Sequence, residues 1–274
     1  MENLQAKAFS IRKDILDMIY RAKTGHIGGD FSVCDILTVL YWRHMNVSPE
    51  TMDDPDRDRF IMSKGHSVEA LYGVLASRGF FPKEDLLTFS QFKSKYIGHP
   101  NNKVDGIEMN SGSLGHGLPV AVGMALAARM DGRSYRTYVV MGDGELAEGS
   151  VWEGFMSAGH YKLDNLIAII DRNRLQISGS TEVVMHHEDL EERVRAFGWN
   201  VIQTDGNSVA ALDEALCQAK EYKGAPTCII ANTVKGCGVS FMENQAGWHH
   251  RVPTDEEYQA AVKELAEKEA EAHE

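Results

Sequence analysis

Two apolar runs in the sequence each open into a segment rich in glycine and oxygen-bearing side chains: RTYVVM (136–141) leads into GDGELAEG (142–149), and NLIAIID (165–171) leads into RNRLQISG (172–179). If the two runs are neighbouring parallel strands, Asp143 and Asn173 emerge along one carboxyl edge. A carboxylate, an amide oxygen and a main-chain carbonyl are hard donors, suited to an octahedral Mg²⁺ that also takes two oxygens of a diphosphate. Gly142 and Gly144 allow the backbone to approach such a ligand closely. A lone GDG is as readily a tight strand-to-helix turn. The paired asparagine is what favours a metal-held diphosphate.

Four of the eleven histidines sit among turn-forming residues rather than in helical stripes: His26 in TGHIGGD, His66 in MSKGHSVEALY, His99 in YIGHPN and His249 in AGWHHRVP. That placement puts them on loops at the mouth of a site. Imidazole suits chemistry that removes a proton from one hydroxyl and returns one to an alkoxide near neutral pH. His116 reads as a hydrogen-bonder that orients its loop, and His44, His160, His186, His187 and His273 as surface residues.

These residues need a scaffold, and the pattern supplies one. Leu4, Ala8, Ile11, Ile15, Met18, Ile19 and Ala22 recur at helical spacing, with Gly25 as the stop, and a second helix is expected near Ser32. Apolar strands are expected at 59–62, 136–141, 165–171, 200–204 and 226–233, with helices around 67–78, 115–130, 149–161, 187–197 and 208–222. This alternation predicts an α/β fold, a doubly wound parallel sheet with helices on both faces. Residues 1–274 read as a single domain, because no linker, repeat or low-complexity tract divides them. The acidic segment from about 254 to 274 is expected as a solvated helix with a frayed end, with Tyr258, Val262 and Leu265 as its apolar stripe. Trp152 and Met156 are expected to pack rather than react.

Charge and cysteines narrow the class. With 28 basic and 40 acidic residues the formal charge is −12, which disfavours nucleic acid and anionic membranes as partners. Any phosphorylated ligand must then be neutralised locally, by a metal, backbone N–H groups or histidines. Cys34, Cys217, Cys228 and Cys237 have no metal-site spacing and suit a reducing compartment. With neither a signal-peptide pattern nor a membrane-length apolar run, a cytoplasmic location is expected.

GDGELAEG followed after the next strand by DRNRLQISG resembles the thiamine diphosphate motif in the form used by transketolases. TGHIGG, SKGHS, GHP, SGSLGHG, KGCGVSFMEN and WHHRVP also occur in the order found in transketolase N-terminal regions, so the resemblance extends to about residue 253. It implies that Asp143, Asn173 and the Leu175 carbonyl hold Mg²⁺ or another divalent cation such as Ca²⁺ or Mn²⁺. It places Gly144, Asn173, His66, Gly112, Ser113, Leu114 and His249 against thiamine diphosphate. It makes His26, His99 and His249 the groups that face the sugar and its reacting centre. Glu148 is implied to be a carboxylate at a subunit interface, bonded to a glutamate of the partner; a solvated carboxylate at a helix N-terminus is the alternative. Ile27, Asp30 and His250 depart from the commoner family pattern, which bears on substrate shape more than on cofactor binding.

The activity implied is transfer of a two-carbon ketol unit from a ketose, usually phosphorylated, to an aldose. After the strand at 226–233 too little chain follows for another α/β domain, so a second polypeptide is expected to carry the pyrimidine-binding domain and its glutamate, in an assembly with two copies of each chain. Alternatives are a deoxyxylulose-phosphate-synthase-like half, the α subunit of a thiamine-dependent 2-oxoacid dehydrogenase, and a non-catalytic structural subunit. The donor and acceptor stay open, branched or sulfonated sugars included.

Overall fold

The structure is a computed structural model that describes residues 3–187 and 189–273. Its first helix, α1 (Leu4–Ala22), begins where the Asn3 side chain accepts from the main-chain N–H groups of Gln5 and Ala6, and it stops where Lys23 turns left-handed with φ 56°. The next, α2 (Ile27–Val39), is buried along its whole length and runs on into a π-helical turn at Leu40–His44. It starts five residues before the expected position, Ser32. The glycines that suggested a turn are helical, chosen for close approach: a Cβ on Gly28 would stand 2.8 Å from the Trp248 carbonyl oxygen, and one on Gly29 2.7 Å from the Ser67 hydroxyl.

Five strands, β1 (Arg59–Met62), β2 (Thr137–Gly142), β3 (Leu166–Arg172), β6 (Asn200–Asp205) and β7 (Thr227–Asn232), form one all-parallel sheet in the order β1-β2-β3-β7-β6. A two-stranded hairpin of β4 (Leu175–Gln176) and β5 (Gly179–Ser180) follows β3. The connecting helices are α3 (Val68–Ser77), α4 (Gly117–Met130), α5 (Gly149–Tyr161), α6 (Thr181–Val184), α7 (Leu190–Ala196), α8 (Val209–Glu221) and α9 (Asp255–His273). The helix expected at 187–197 appears as α7, with Glu188 outside the described residues.

Alternation along the strands builds two cores, one on each face of the sheet. Tyr138, Val140, Ile167, Ile169, Ile229 and Ala231 pack with α1, α2, α3, α8 and α9, while Val139, Met141, Ala168, Ile170, Cys228 and Ile230 pack with α4, α5 and α7. This is the expected doubly wound architecture, and its strands are apolar on both sides because helices cover both.

Three expectations fail for identifiable reasons. The acidic C-terminal segment is a docked helix: α9 lies on α1, with Ala261 and Leu265 fully buried, Tyr258 stacked on Tyr20 at 4.0 Å, and Lys13 paired with Glu269. His44 is buried and bonded to Asp213 at 2.8 Å instead of lying on the surface. Met156, expected to pack, is exposed, whereas Trp152 packs against Phe155 and Phe197 as expected. The four cysteines are free, and among the described residues no helix is long and apolar enough to cross a membrane.

The first core contains a buried ion pair. Arg12 on α1 donates to both Asp35 oxygens, at 3.2 and 2.6 Å, and to the Phe31 carbonyl at 2.8 Å; Asn207 donates to Asp35 at 2.9 Å. Removing one partner leaves an uncompensated buried charge. Asp35→Ala is expected to lower unfolding free energy by about 3–5 kcal/mol in urea titration, and the pairless Arg12→Met/Asp35→Leu double variant by far less.

Candidate active site

The pairing of β2 with β3 sets Gly142 opposite Asp171, so the segments that follow leave the sheet side by side. Asp143, buried, accepts from Gly144 N at 2.9 Å and from Arg174 N at 2.6 Å. Asn173 is buried beside it, its Oδ1 accepting from Leu175 N at 3.1 Å. Arg174, at φ 64°, turns the chain into the β4–β5 hairpin, which folds over Gly144: a Cβ there would meet the Gln176 side chain at 3.0 Å. Burial, then the neighbouring charge of Asp171, pushes the Asp143 carboxyl up to about 6. No side-chain cation is bonded to it among the described residues, and with Asn173 and Leu175 lining the same cleft, the latter's carbonyl 3.5 Å from Lys235 Nζ, its spare lone pairs offer a donor set that fits a hard divalent ion.

These residues line a cleft of about 310 Å³, together with Gly29, Lys64, His66, Gly112, Leu114, Glu145, Ile177, Lys235 and His249. Ser113 is exposed and does not line it, in contrast to its neighbours Gly112 and Leu114. Gly112, at φ 143°, lies against His99; a Cβ would stand 2.8 Å from the ring. His116 Nδ1 bonds the carbonyls of Ser113 and Leu114 at 3.2 and 3.0 Å, the loop-orienting contact expected of it. Glu145 ties three segments together, accepting from Gly142 N at 3.1 Å, Gly115 N at 2.9 Å and the Ser63 hydroxyl. Glu148, at the N-terminal cap of α5, is exposed and makes no capping bond.

Four separate connections bring the histidines to one place. The His26 ring lies 5.4 Å from His66, 6.3 Å from His99, 5.7 Å from His249 and 4.6 Å from His250, between centroids. Burial lowers all four ring pKa values expected at the site. His26 falls to about 4, with His250 and His99 adding to burial, and His249 to about 3, with Lys235 adding most after burial. Neutral rings are the result. Lys235 Nζ donates to His249 Nδ1 at 2.8 Å, which leaves Nε2 as the nitrogen bearing hydrogen.

Two buried lysines escape sequence reasoning. Lys64 is held by Asp171 and by the Gly29 carbonyl at 3.0 Å, and Lys235 lies across the cleft with its pKa lowered to about 8, chiefly by burial. Asp171 also accepts from Ser32 at 2.6 Å and from Thr233. The available signal was position: Lys64 and Lys235 closely follow strands, and Asp171 ends an otherwise apolar run. Lys64 is neutralised by Asp171, so Lys235, bonded to a ring rather than to a carboxylate, is the local positive charge that a phosphorylated ligand needs in an acidic protein.

Comparisons with known proteins give the family. The sequence profile "Transketolase, thiamine diphosphate binding domain" matches residues 4–272. An apulose-4-phosphate transketolase subunit of Phocaeicola vulgatus is 49% identical over 98% of this chain and 95% of its own length. The 6-deoxy-6-sulfo-D-fructose transketolase subunit SqwG of a Clostridium species is 44% identical over 96% of each. Among solved structures, transketolase of Campylobacter jejuni superposes with a TM-score of 0.92 at 31% identity, covering 99% of this chain but 46% of that one. The chain therefore belongs to the transketolase family and corresponds to its thiamine diphosphate-binding domain.

Proposed function

We propose that this chain is the diphosphate-side subunit of a two-chain transketolase, binding thiamine diphosphate through Mg²⁺ and completed by a second polypeptide that carries the pyrimidine-binding domain. The observation that carries the reading is that Asp143, Asn173 and Leu175 line one cleft with His66 and His249, and that the His26 ring lies within 5.7 Å of both of those rings and 6.3 Å from His99. Relatives that are themselves named as transketolase subunits support a partner chain. An assembly with two copies of each fits the need of every site for both chain types, and free cysteines fit the cytoplasm.

In this reading Asp143, Asn173 and the Leu175 carbonyl hold the cation, and His66, Gly112, Leu114 and Gly144 contact the cofactor. Bound thiamine diphosphate supplies the nucleophilic carbon and the electron sink for carbon–carbon cleavage. His26, neutral and at the mouth, accepts a proton from a donor hydroxyl. His249, its Nδ1 occupied by Lys235, presents Nε2–H to a developing alkoxide. His99, backed by Gly112, orients the ketol hydroxyl. Glu148, exposed in the lone chain, is available to a partner's glutamate. The substrate class is a ketose donor with an aldose acceptor.

His26→Ala and His249→Ala are expected to lower turnover by roughly 10²–10⁴-fold while leaving thiamine diphosphate affinity within a few-fold of the parent. Steady-state ketol transfer by the reconstituted pair, alongside calorimetric titration of the cofactor, checks this. Both variants retaining near-parental turnover would remove the proton-exchange roles.

A further inference from the structure

Two carboxyls that the chemistry above does not use lie beneath His26. Asp30, in the first turn of α2, and Glu69, in the first turn of α3, are both completely buried. Asp30 Oδ1 accepts from Ala70 N at 2.9 Å. Its Oδ2 and both Glu69 oxygens make no hydrogen bond of good geometry among the described residues, although the main-chain N–H groups of Glu69 and His26 face the Glu69 carboxyl. Glu69 faces the Asp30 carboxyl and the main-chain N–H of His26, and a Cβ on Gly25 would stand 2.7 Å from its Oε1, so the carboxyl sits directly under the Gly25–His26 turn.

The surroundings offer little to balance two negative charges. The titratable groups facing the pair are Lys64 from the β1–α3 connection, His26 from the α1–α2 connection, Cys34 on α2 and Tyr72 on α3. Lys64 is already paired with Asp171. The Tyr72 hydroxyl donates to the Ile97 carbonyl at 3.0 Å. From α1 the apolar Ile19 packs against the turn. A proton between the carboxyls would cancel their repulsion and give the unpartnered oxygens an O–H···O bond. Burial pushes both carboxyls up, and for Glu69 the facing Asp30 charge adds to it.

We propose that Asp30 and Glu69 share a proton, and that the resulting carboxyl pair is a positioning device for His26. It fixes the Gly25–His26 turn and keeps negative charge from building up beneath the imidazole. A doubly ionised pair would be pushed apart by its own repulsion and would no longer fix the turn that carries the imidazole. The positioning half of this inference rests on the proton-exchange role given to His26 above; the shared proton does not.

The shared proton is read in the chain by difference infrared spectroscopy at pH 7. The parent is expected to show the carbonyl stretch of a protonated carboxylic acid, lost in Asp30→Asn and in Glu69→Gln, and its absence from the parent overturns the proposal. Positioning is read with the partner chain present. Glu69→Gln still presents an N–H to Asp30, so its turnover should stay within about threefold of the parent, whereas Glu69→Leu should fall roughly 10–100-fold at unchanged cofactor affinity. The pair loses its proton as pH rises, so the parent's turnover should decline on the alkaline side, and Glu69→Gln should lack that decline. Equal losses in the two variants, or an alkaline decline that persists in Glu69→Gln, overturn the positioning role. Should Glu69→Leu not fold, the Glu69→Gln profile decides. If the parent pair of chains transfers no ketol unit, the functional reading fails by itself. The His26 imidazole resonance, displaced in Glu69→Leu and unmoved in Glu69→Gln, then decides positioning.

Discussion

Replacing Asp143 or Asn173 with alanine should remove measurable Mg²⁺-dependent binding of thiamine diphosphate while the circular dichroism spectrum stays native. A diphosphate entering this acidic chain must be neutralised inside the cleft, and in the proposed reading a divalent ion would carry the largest local charge available for that purpose. Asp143 is the carboxylate of the donor set, buried and held by two main-chain N–H groups that aim its free lone pairs. Asn173 contributes the amide oxygen from the next strand. Both belong to turns at the carboxyl ends of strands rather than to the two cores, so the sheet should survive their truncation. Calorimetric titration with and without Mg²⁺ is the measurement. Unchanged affinity in both variants would refute the metal assignment.

The second large effect concerns assembly. Purified alone, this chain is expected to transfer no ketol unit, and to gain full turnover when a second chain bearing the pyrimidine-binding domain is added. It spans 46% of the Campylobacter jejuni transketolase chain it superposes on, and its relatives from Phocaeicola vulgatus and Actinobacillus succinogenes are named as transketolase subunits. The cleft holds donors for a cation and a diphosphate. The transketolase resemblance assigns the glutamate that activates the aminopyrimidine to the other domain. Light scattering of each chain and of the mixture, beside an assay with thiamine diphosphate and Mg²⁺, tests the expectation. Full turnover by the rigorously purified single chain would overturn it.

Much of the scaffold was legible because a two-sided parallel sheet writes itself as short apolar runs, and each run expected became a strand within a residue or two. Asp143 and Asn173 were legible for the same reason: each closely follows such a run. What was hidden was hidden by burial. α2 is covered on every side, so it shows no amphipathic period, and its Gly28–Gly29 pair looks like a turn until Trp248 and Ser67 are seen pressing on it. Lys64, Lys235 and Asp171 looked like ordinary charges because nothing local reveals that Asp171 lies against Lys64 across more than a hundred residues. The acidic terminal helix looked solvated because its apolar stripe is thin. Ala261 and Leu265 suffice once Tyr258 has Tyr20 to stack on.

The docking of α9 on α1 also orders events in time. In synthesis α1 meets α9 only after the intervening chain has been made: Tyr20 must wait for Tyr258 and for Asp255, 235 positions on, and Lys13 for Glu269. Such contacts close the longest loops in the chain, and their ordering entropy is recovered last. While that intervening chain is being made, α1 therefore has one flank uncovered, open to a chaperone.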